Sequence, residues 1–100
     1  MAQFDVYENP NEETNQIVPY LLDLQADLLD NLATRVVAPL VAAASMGRAV
    51  KHLNPRFKVN DNVVFMSTAE LAGVPMSASG ERVACMREHR NEIIAALDFL

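Results

Sequence analysis

The side chains of this chain that could support catalysis or metal binding are few, and their spacing does not bring them together. Its two histidines, His52 and His89, lie far apart, and its three glycines are isolated, so neither a metal site nor a phosphate-binding loop is indicated. Glu88 and Glu92 are one helical turn apart beside arginines, which is typical of surface ion pairs. We therefore predict that the chain is not an enzyme and needs no metal or cofactor.

The single cysteine, Cys85, cannot form a disulfide within the chain. This agrees with a reducing compartment, and equally with a buried thiol that has no chemical role. We favour the inert interpretation, because no feature of the neighbouring sequence indicates a reactive thiolate.

The charge of the chain argues against one broad class of function. Thirteen acidic residues against eight lysines and arginines give a net charge of −5, which disfavours direct binding to nucleic acid. One stretch departs from this balance, because no acidic residue separates its four cations, Arg48, Lys51, Arg56 and Lys58. Such a stretch is typical of a solvated basic face, and the alternative is a docking site for an acidic partner.

The length of 100 residues predicts a single domain spanning 1–100, small enough to leave apolar surface that favours a homodimer. Hydrophobic residues make up 51% of the chain, yet no run approaches the roughly 18 apolar residues of a membrane span. The first residues also lack the charged and then apolar pattern of a signal peptide. We expect a cytoplasmic protein with no membrane association.

Alternating and apolar patterns predict a mainly β domain that ends in a helix. Strands are predicted at 3–7, 17–24, 32–41, 56–59, 63–68 and 73–77, with a short alanine-rich helix within 41–53. Asn60, Asp61 and Asn62 accept the positive φ of a tight turn, which predicts a hairpin around them. Residues 79–81 should lead directly into the closing helix, whose core-facing stripe is Val83, Met86, Ile93, Ile94, Leu97 and Leu100.

Three large apolar residues occupy positions where polar residues are usual. Leu28 and Leu29 lie in the polar connector between the second and third predicted strands, and they are either packed under the fold or presented to a partner. Phe99 falls roughly opposite the helix stripe and next to Leu100. Either fraying of the helix end or a dimer or partner surface accounts for this exposed aromatic residue.

Six strings of the sequence, in collinear order, indicate a family. They are Gln-Phe-Asp-Val-Tyr at 3–7, Asp-Leu-Gln-Ala-Asp-Leu-Leu-Asp at 23–30, Thr-Arg-Val-Val-Ala-Pro-Leu at 34–40, Val-Pro-Met-Ser at 74–77, Gly-Glu-Arg-Val-Ala at 80–84 and His-Arg-Asn-Glu-Ile-Ile-Ala-Ala-Leu-Asp-Phe-Leu at 89–100. Together they resemble CcdB, the gyrase-poisoning toxin family of bacterial toxin–antitoxin modules. The resemblance implies a small SH3-like antiparallel barrel of the CcdB and MazF type, closed by a C-terminal helix, in a two-fold dimer.

The resemblance also implies what the domain binds. A toxin of this family binds the A subunit of DNA gyrase, traps the gyrase–DNA cleavage complex, and is restrained by an antitoxin with a disordered C-terminal segment. By position, the gyrase-binding residues would be Leu28, Leu29, Asn91 and Asp98. Family members usually continue past the position of Leu100 with a short gyrase-contacting tail, so we expect attenuated poisoning from this chain.

Charge complementarity makes the stretch with Arg48, Lys51, Arg56 and Lys58 a candidate docking site for an acidic antitoxin segment. Two other functions stay open beside the gyrase reading. The fold is shared with endoribonuclease toxins of the MazF and Kid type, for which Arg48, Lys51 and His52 are the supporting residues. The other alternative is a non-toxic relative that only binds antitoxin.

Overall fold

A computed structural model describes residues 3–25, 34–49, 53–75 and 79–99. Within these ranges the chain forms seven strands and one α-helix. The strands are β1 Asp5–Glu8, β2 Tyr20–Asp23, β3 Thr34–Ala42, β4 Arg56–Val59, β5 Asn62–Met66, β6 Ala72–Pro75 and β7 Arg82–Cys85, and the helix α1 is Arg90–Phe99.

All strand pairs are antiparallel, in the order β4-β5-β3-β2-β1-β7, with β6 added on β3. The long strand β3 is central, since it pairs with β2, β5 and β6 along different parts of its length. The result is a curled half-barrel sheet with one short C-terminal helix. The predicted fold class, a small antiparallel β domain of SH3-like type closed by a helix, is confirmed.

The predicted hairpin is present as β4 and β5, closed by a two-residue turn. Asn60 and Asp61 have φ of 49° and 67°, so both central residues adopt the left-handed conformation of a type I′ turn. This turn suits the right-handed twist of the two strands and sets their register, with Val59 opposite Asn62. The local sequence therefore favours this turn and the register of the two strands.

One face of the sheet and the inner face of α1 enclose the hydrophobic core. Its residues come from β1 to β5, from the residues next to β1 and β7, and from the helix: Phe4, Val6, Tyr20, Leu22, Ala38, Leu40, Phe57, Val59, Val64, Met66, Met86, Ile93 and Ala96. Leu22, Leu40 and Ile93 are completely buried. Burying a side chain of this size stabilises the fold by about 1.5–3 kcal/mol.

The structure corrects the predicted start of the closing helix. Residues 82–85 form strand β7, which pairs with β1, and the helix begins only at Arg90 after a 3₁₀ turn at Arg87–His89. Val83 and Met86 do reach the core, but from β7 and the following turn. A spacing of three residues is typical of a helix, but Met86 lies past the end of β7, so both residues can reach the core without one. Pairing with β7 satisfies backbone groups of β1, so tertiary context decides for the strand.

The alanine-rich segment also departs from its prediction. Over the described part of 41–53, β3 continues to Ala42 and only a single 3₁₀ turn follows, at Ala43–Ser45. The residues of this turn are exposed, so no core contact is available to extend the turn into a helix.

A buried ion pair between Arg35 and Asp23 ties β3 to β2. The Arg35 Nε and Nη2 atoms each lie 2.9 Å from Oδ2 of Asp23, and both side chains are completely buried. Nη2 also donates to the backbone carbonyl of Gln25 at 3.2 Å, and the backbone amide of Gln25 donates to Oδ1 of Asp23 at 2.9 Å. The Gln25 side chain accepts from the Val36 amide at 3.1 Å, so hydrogen bonds continue beyond the end of the strand ladder.

Removing one partner of this pair should destabilise the fold strongly. Arg35→Ala leaves the Asp23 carboxylate buried without its cation, at a cost of about 3–5 kcal/mol in unfolding free energy measured by urea denaturation. The double variant Arg35→Met with Asp23→Leu should recover most of this loss, because no charge is then left unpaired. Lys58→Ala, which removes only an exposed ion pair, is the control, and an Arg35→Ala midpoint equal to that of the control would contradict the prediction.

Candidate functional site

The outward face of α1 is a compact, solvent-exposed surface. Asn91, Ala95 and Asp98 follow one another at spacings of four and three residues, which places them on one side of a helix. All three are exposed, whereas Ile93 and Ala96 on the opposite side are completely buried in the core. The structure therefore brings together the two helical residues, Asn91 and Asp98, that the family resemblance predicts to face gyrase.

Phe99 continues this face at the end of α1. Its side chain is 58% exposed, the largest exposure among the big apolar residues that the described ranges contain. The predicted exposure of this aromatic residue is confirmed, while its role stays a prediction. Leu28, Leu29, Lys51, His52 and Leu100 lie outside the described residues, so the other predicted members of the partner surfaces keep the status of predictions.

A cleft of about 440 Å³ adjoins the α1 face, between the helix and the β4–β5 hairpin. Ala95 and Glu92 of α1 line one side, and Arg56 and Phe65 of the hairpin line the other. The remaining lining residues are Ala49, Asn54 and Pro55. The cleft thus combines an apolar interior with one cation and one carboxylate, which suits a partner segment that has both apolar and charged groups.

The basic stretch is divided by the geometry of β4. Arg56 and Lys58 point to the exposed face of the strand, and they alternate with Phe57 and Val59, which are buried in the core. Arg48 is exposed in the loop that precedes the hairpin. The Nζ atom of Lys58 lies 3.7 Å from Oδ1 of Asp61, and both side chains are largely exposed, so solvent screens this pair and leaves the cation accessible.

A histidine pairs with a glutamate at the start of α1, which sequence reasoning missed. Nδ1 of His89 lies 3.3 Å from Oε1 of Glu92, so the predicted pairing of Glu92 with neighbouring arginines gives way to a histidine contact. The His89 ring also packs on Phe57 of β4, at 5.1 Å between ring centroids. The spacing of three residues at a helix start is the signal that could have revealed the pair.

A further ion pair joins β1 and β7, at the end of the sheet opposite β4. Nε of Arg82 is 3.2 Å from Oδ1 of Asp5, and Tyr7 donates to Oδ2 of the same carboxylate at 3.3 Å. The hydrogen bond to Asp5 and the charge of Asp5 raise the pKa of Arg82 above its ordinary value, so the guanidinium stays charged. Cys85, on the same strand as Arg82, is exposed, which corrects the interpretation of this thiol as buried.

Neither a metal-binding cluster nor a membrane-spanning helix occurs within the described ranges. These residues contain no cluster of three or more histidine, cysteine, aspartate and glutamate side chains that could hold a metal ion. None of the helices formed by the described residues is long and apolar enough to cross a membrane.

Two comparisons with known proteins bear on this surface. The family model described as CcdB protein matches residues 3–100, nearly the full length of the chain. A solved structure of an endoribonuclease in complex with its cognate antitoxin, from mycobacterial species, resembles the chain with a TM-score of 0.76. The sequences are 13% identical over 99% of this chain and 92% of the other, and identity this low shows a common fold alone.

The second comparison corrects a prediction made from the sequence. We predicted that the chain is not an enzyme because its candidate catalytic residues are dispersed along the sequence. The same fold occurs in a protein described as an endoribonuclease, so that prediction is wrong as a conclusion from sequence spacing. Residues distant in sequence can meet in this fold, as His89 and Phe57 do here.

Proposed function

Because this chain belongs to the CcdB family, we propose that it is the toxin of a type II toxin–antitoxin module and acts in the cytoplasm on DNA gyrase. It would bind the gyrase A subunit and trap the gyrase–DNA cleavage complex. The observation that carries this proposal is the family match over residues 3–100.

The outward face of α1 suits a role in binding gyrase. Asn91 and Asp98 offer an amide and a carboxylate from a rigid helix, and the small side chain of Ala95 between them lets a partner approach closely. Phe99 adds an exposed aromatic group, and aromatic residues are enriched at protein–protein interfaces. By resemblance, Leu28 and Leu29 would also contact gyrase.

Changing this face should weaken gyrase binding without affecting the fold. Asn91→Ala and Asp98→Ala should each lower affinity for the purified gyrase A subunit by about tenfold, because each removes a polar contact at the interface. Since both residues are exposed, the unfolding free energy should change by no more than about 0.5 kcal/mol. The matched control is Glu12→Ala, an exposed carboxylate in the loop before β2. Full affinity in the Asn91→Ala/Asp98→Ala double variant, measured by surface plasmon resonance, would reject this surface.

We further propose that an antitoxin restrains the protein. The supporting observation is the shared fold with a protein solved in complex with its cognate antitoxin. The exposed cations Arg48, Arg56 and Lys58 favour an acidic partner segment, because the stretch that contains them has no acidic residue, although the chain as a whole carries a net negative charge. Lys51, in the same stretch, is part of this proposal by its position in the sequence.

We propose a homodimer because exposed apolar residues of β3 and of the segment before β6 form a surface outside α1. Val36 of β3 is 42% exposed and Leu71, just before β6, is 37% exposed. Gly73 of β6 lies opposite Val36, and a side chain at this glycine would meet no atom within 4 Å. This combination leaves an exposed apolar area that a second copy of the chain could cover.

Charges placed on this area should dissociate the dimer. Val36→Lys combined with Leu71→Lys should raise the dimer dissociation constant by about tenfold or more, because two ammonium groups would have to lose water on association. Ile17→Lys is the control, since Ile17 is more exposed than either residue but lies in the loop before β2. Sedimentation velocity measures the effect, and unchanged dimer mass across all dilutions in the double variant would exclude this face as the interface.

An RNA-cleaving toxin is the second candidate function. It is favoured by the fold shared with an endoribonuclease and by a cleft that Arg56 and Glu92 line, with His89 paired to Glu92. Cleavage of RNA requires a group that accepts the proton of a 2′-hydroxyl and a cation beside the scissile phosphate. His89 and Arg56 are the residue types for these two roles.

Incubation with single-stranded RNA tests this candidate. If the protein is a ribonuclease of this kind, His89→Ala should reduce the cleavage rate by about 100-fold or more, because the proton acceptor is lost. Arg56→Ala should reduce it as well, and Glu88→Ala should leave it unchanged. Intact RNA after incubation with the unmodified protein, at concentrations where gyrase is bound, would eliminate the ribonuclease and leave the gyrase proposal standing.

A further inference from the structure

Strand β4 ends the sheet, and its outer edge is unpaired by any strand of the described residues. Val59 and Asn62 close the two-residue turn, so odd-numbered residues of β4 direct their backbone groups toward β5. The Met66 amide accordingly donates to the Pro55 carbonyl at 3.0 Å. The amide and carbonyl groups of Arg56 and Lys58 therefore point away from the sheet and can pair with a further strand.

The same two residues place positive charge beside this edge. The side chains of Arg56 and Lys58 lie on the exposed face, while Phe57 and Val59 point into the core. A strand added at this edge would alternate in the same way, because cross-strand neighbours share a face of the sheet. Its residues beside Arg56 and Lys58 would be acidic, and those in between would be apolar.

Two surface clefts adjoin β4 and would receive side chains of the added strand. One, of about 300 Å³, is lined by Arg56, Phe57, Lys58 and Val63. The other is the cleft of about 440 Å³ toward α1, and Arg56 lines both. Edge, cations and clefts thus occur together along one short strand, which is the arrangement needed for recognition by strand addition.

We propose that the outer edge of β4 binds an extended segment of the antitoxin as an added strand, in which acidic and apolar residues alternate. This inference rests on the proposed toxin–antitoxin function and specifies how the partner is held. Main-chain hydrogen bonds to Arg56 and Lys58 supply part of the affinity, and the pairing of acidic side chains with both cations selects the segment. Glu92, on the far wall of the larger cleft, disfavours an acidic residue on that side and so helps to fix the register.

The backbone contribution can be separated from the charge at a single position. Lys58→Pro removes the outward amide but keeps every bond from β4 to β5, since proline is tolerated where the amide of an edge strand faces outward. Lys58→Gln keeps the amide and removes only the charge. The probe is a short capped peptide that alternates glutamate and valine, and its affinity is measured by isothermal titration calorimetry.

Both variants should bind the peptide less tightly than the unmodified protein, and to different extents. Lys58→Gln should weaken binding by about two- to fivefold, since an exposed charge pair is lost. Lys58→Pro should weaken it by about a further fivefold, the usual contribution of one hydrogen bond. Circular dichroism of both variants confirms that the sheet is retained. Arg87→Gln, an exposed charge change outside β4, is the control and should bind as the unmodified protein does.

A modified peptide provides a test that does not depend on the stability of the variants. Methylating the alternate amide nitrogens that face β4 should abolish binding, whereas methylating the other set should have little effect. Equal loss with both sets, or equal affinity of Lys58→Pro and Lys58→Gln, would overturn strand addition. Gyrase binding by the same variants is measured in parallel, and its retention would show that the toxin proposal survives even if strand addition is wrong.

Discussion

The buried ion pair between Arg35 and Asp23 is the interaction on which the arrangement of the sheet depends. β3 pairs with three other strands, and the ion pair fixes it against β2 at the place where the main-chain ladder ends. Two charges can remain buried only when nearly all of their hydrogen-bonding groups find partners, and the Gln25 backbone supplies the additional ones here. The pair therefore favours one register of β3 against β2, because sliding one strand along the other would leave a buried charge without its partner.

Features determined by neighbouring residues could be predicted from the sequence. The β4–β5 hairpin follows from Asn60 and Asp61, whose side chains tolerate positive φ, and the apolar face of the helix follows from its period. The start of the helix could not be predicted, because residues 82–85 become a strand only through pairing with β1, which is about 80 residues earlier in the chain. The burial of Arg35 was equally hidden, since an arginine inside an apolar strand pattern does not reveal a partner on another strand.

In the candidate site, too, some features follow from neighbouring residues and others from tertiary packing. Asn91 and Asp98 lie on one helical face, and helical spacing alone relates them. The contact of His89 with Phe57, by contrast, depends on how α1 packs over the hairpin, and the open edge of β4 depends on the order of the strands. The sequence shows which residue types are present, but the strand order and the packing of the sheet determine which of these residues are in contact.

The cations of β4 have a consequence for the solubility of the protein itself. An unpaired sheet edge is a template on which identical chains can stack, and such stacking leads to aggregation. Two copies that approached through β4 would bring Arg56 and Lys58 of each chain together, and this repulsion opposes the pairing. The cations of β4 therefore disfavour pairing of this edge with a second copy of the chain and favour pairing with an acidic strand. The same short sequence limits aggregation of the free protein and selects its binding partner.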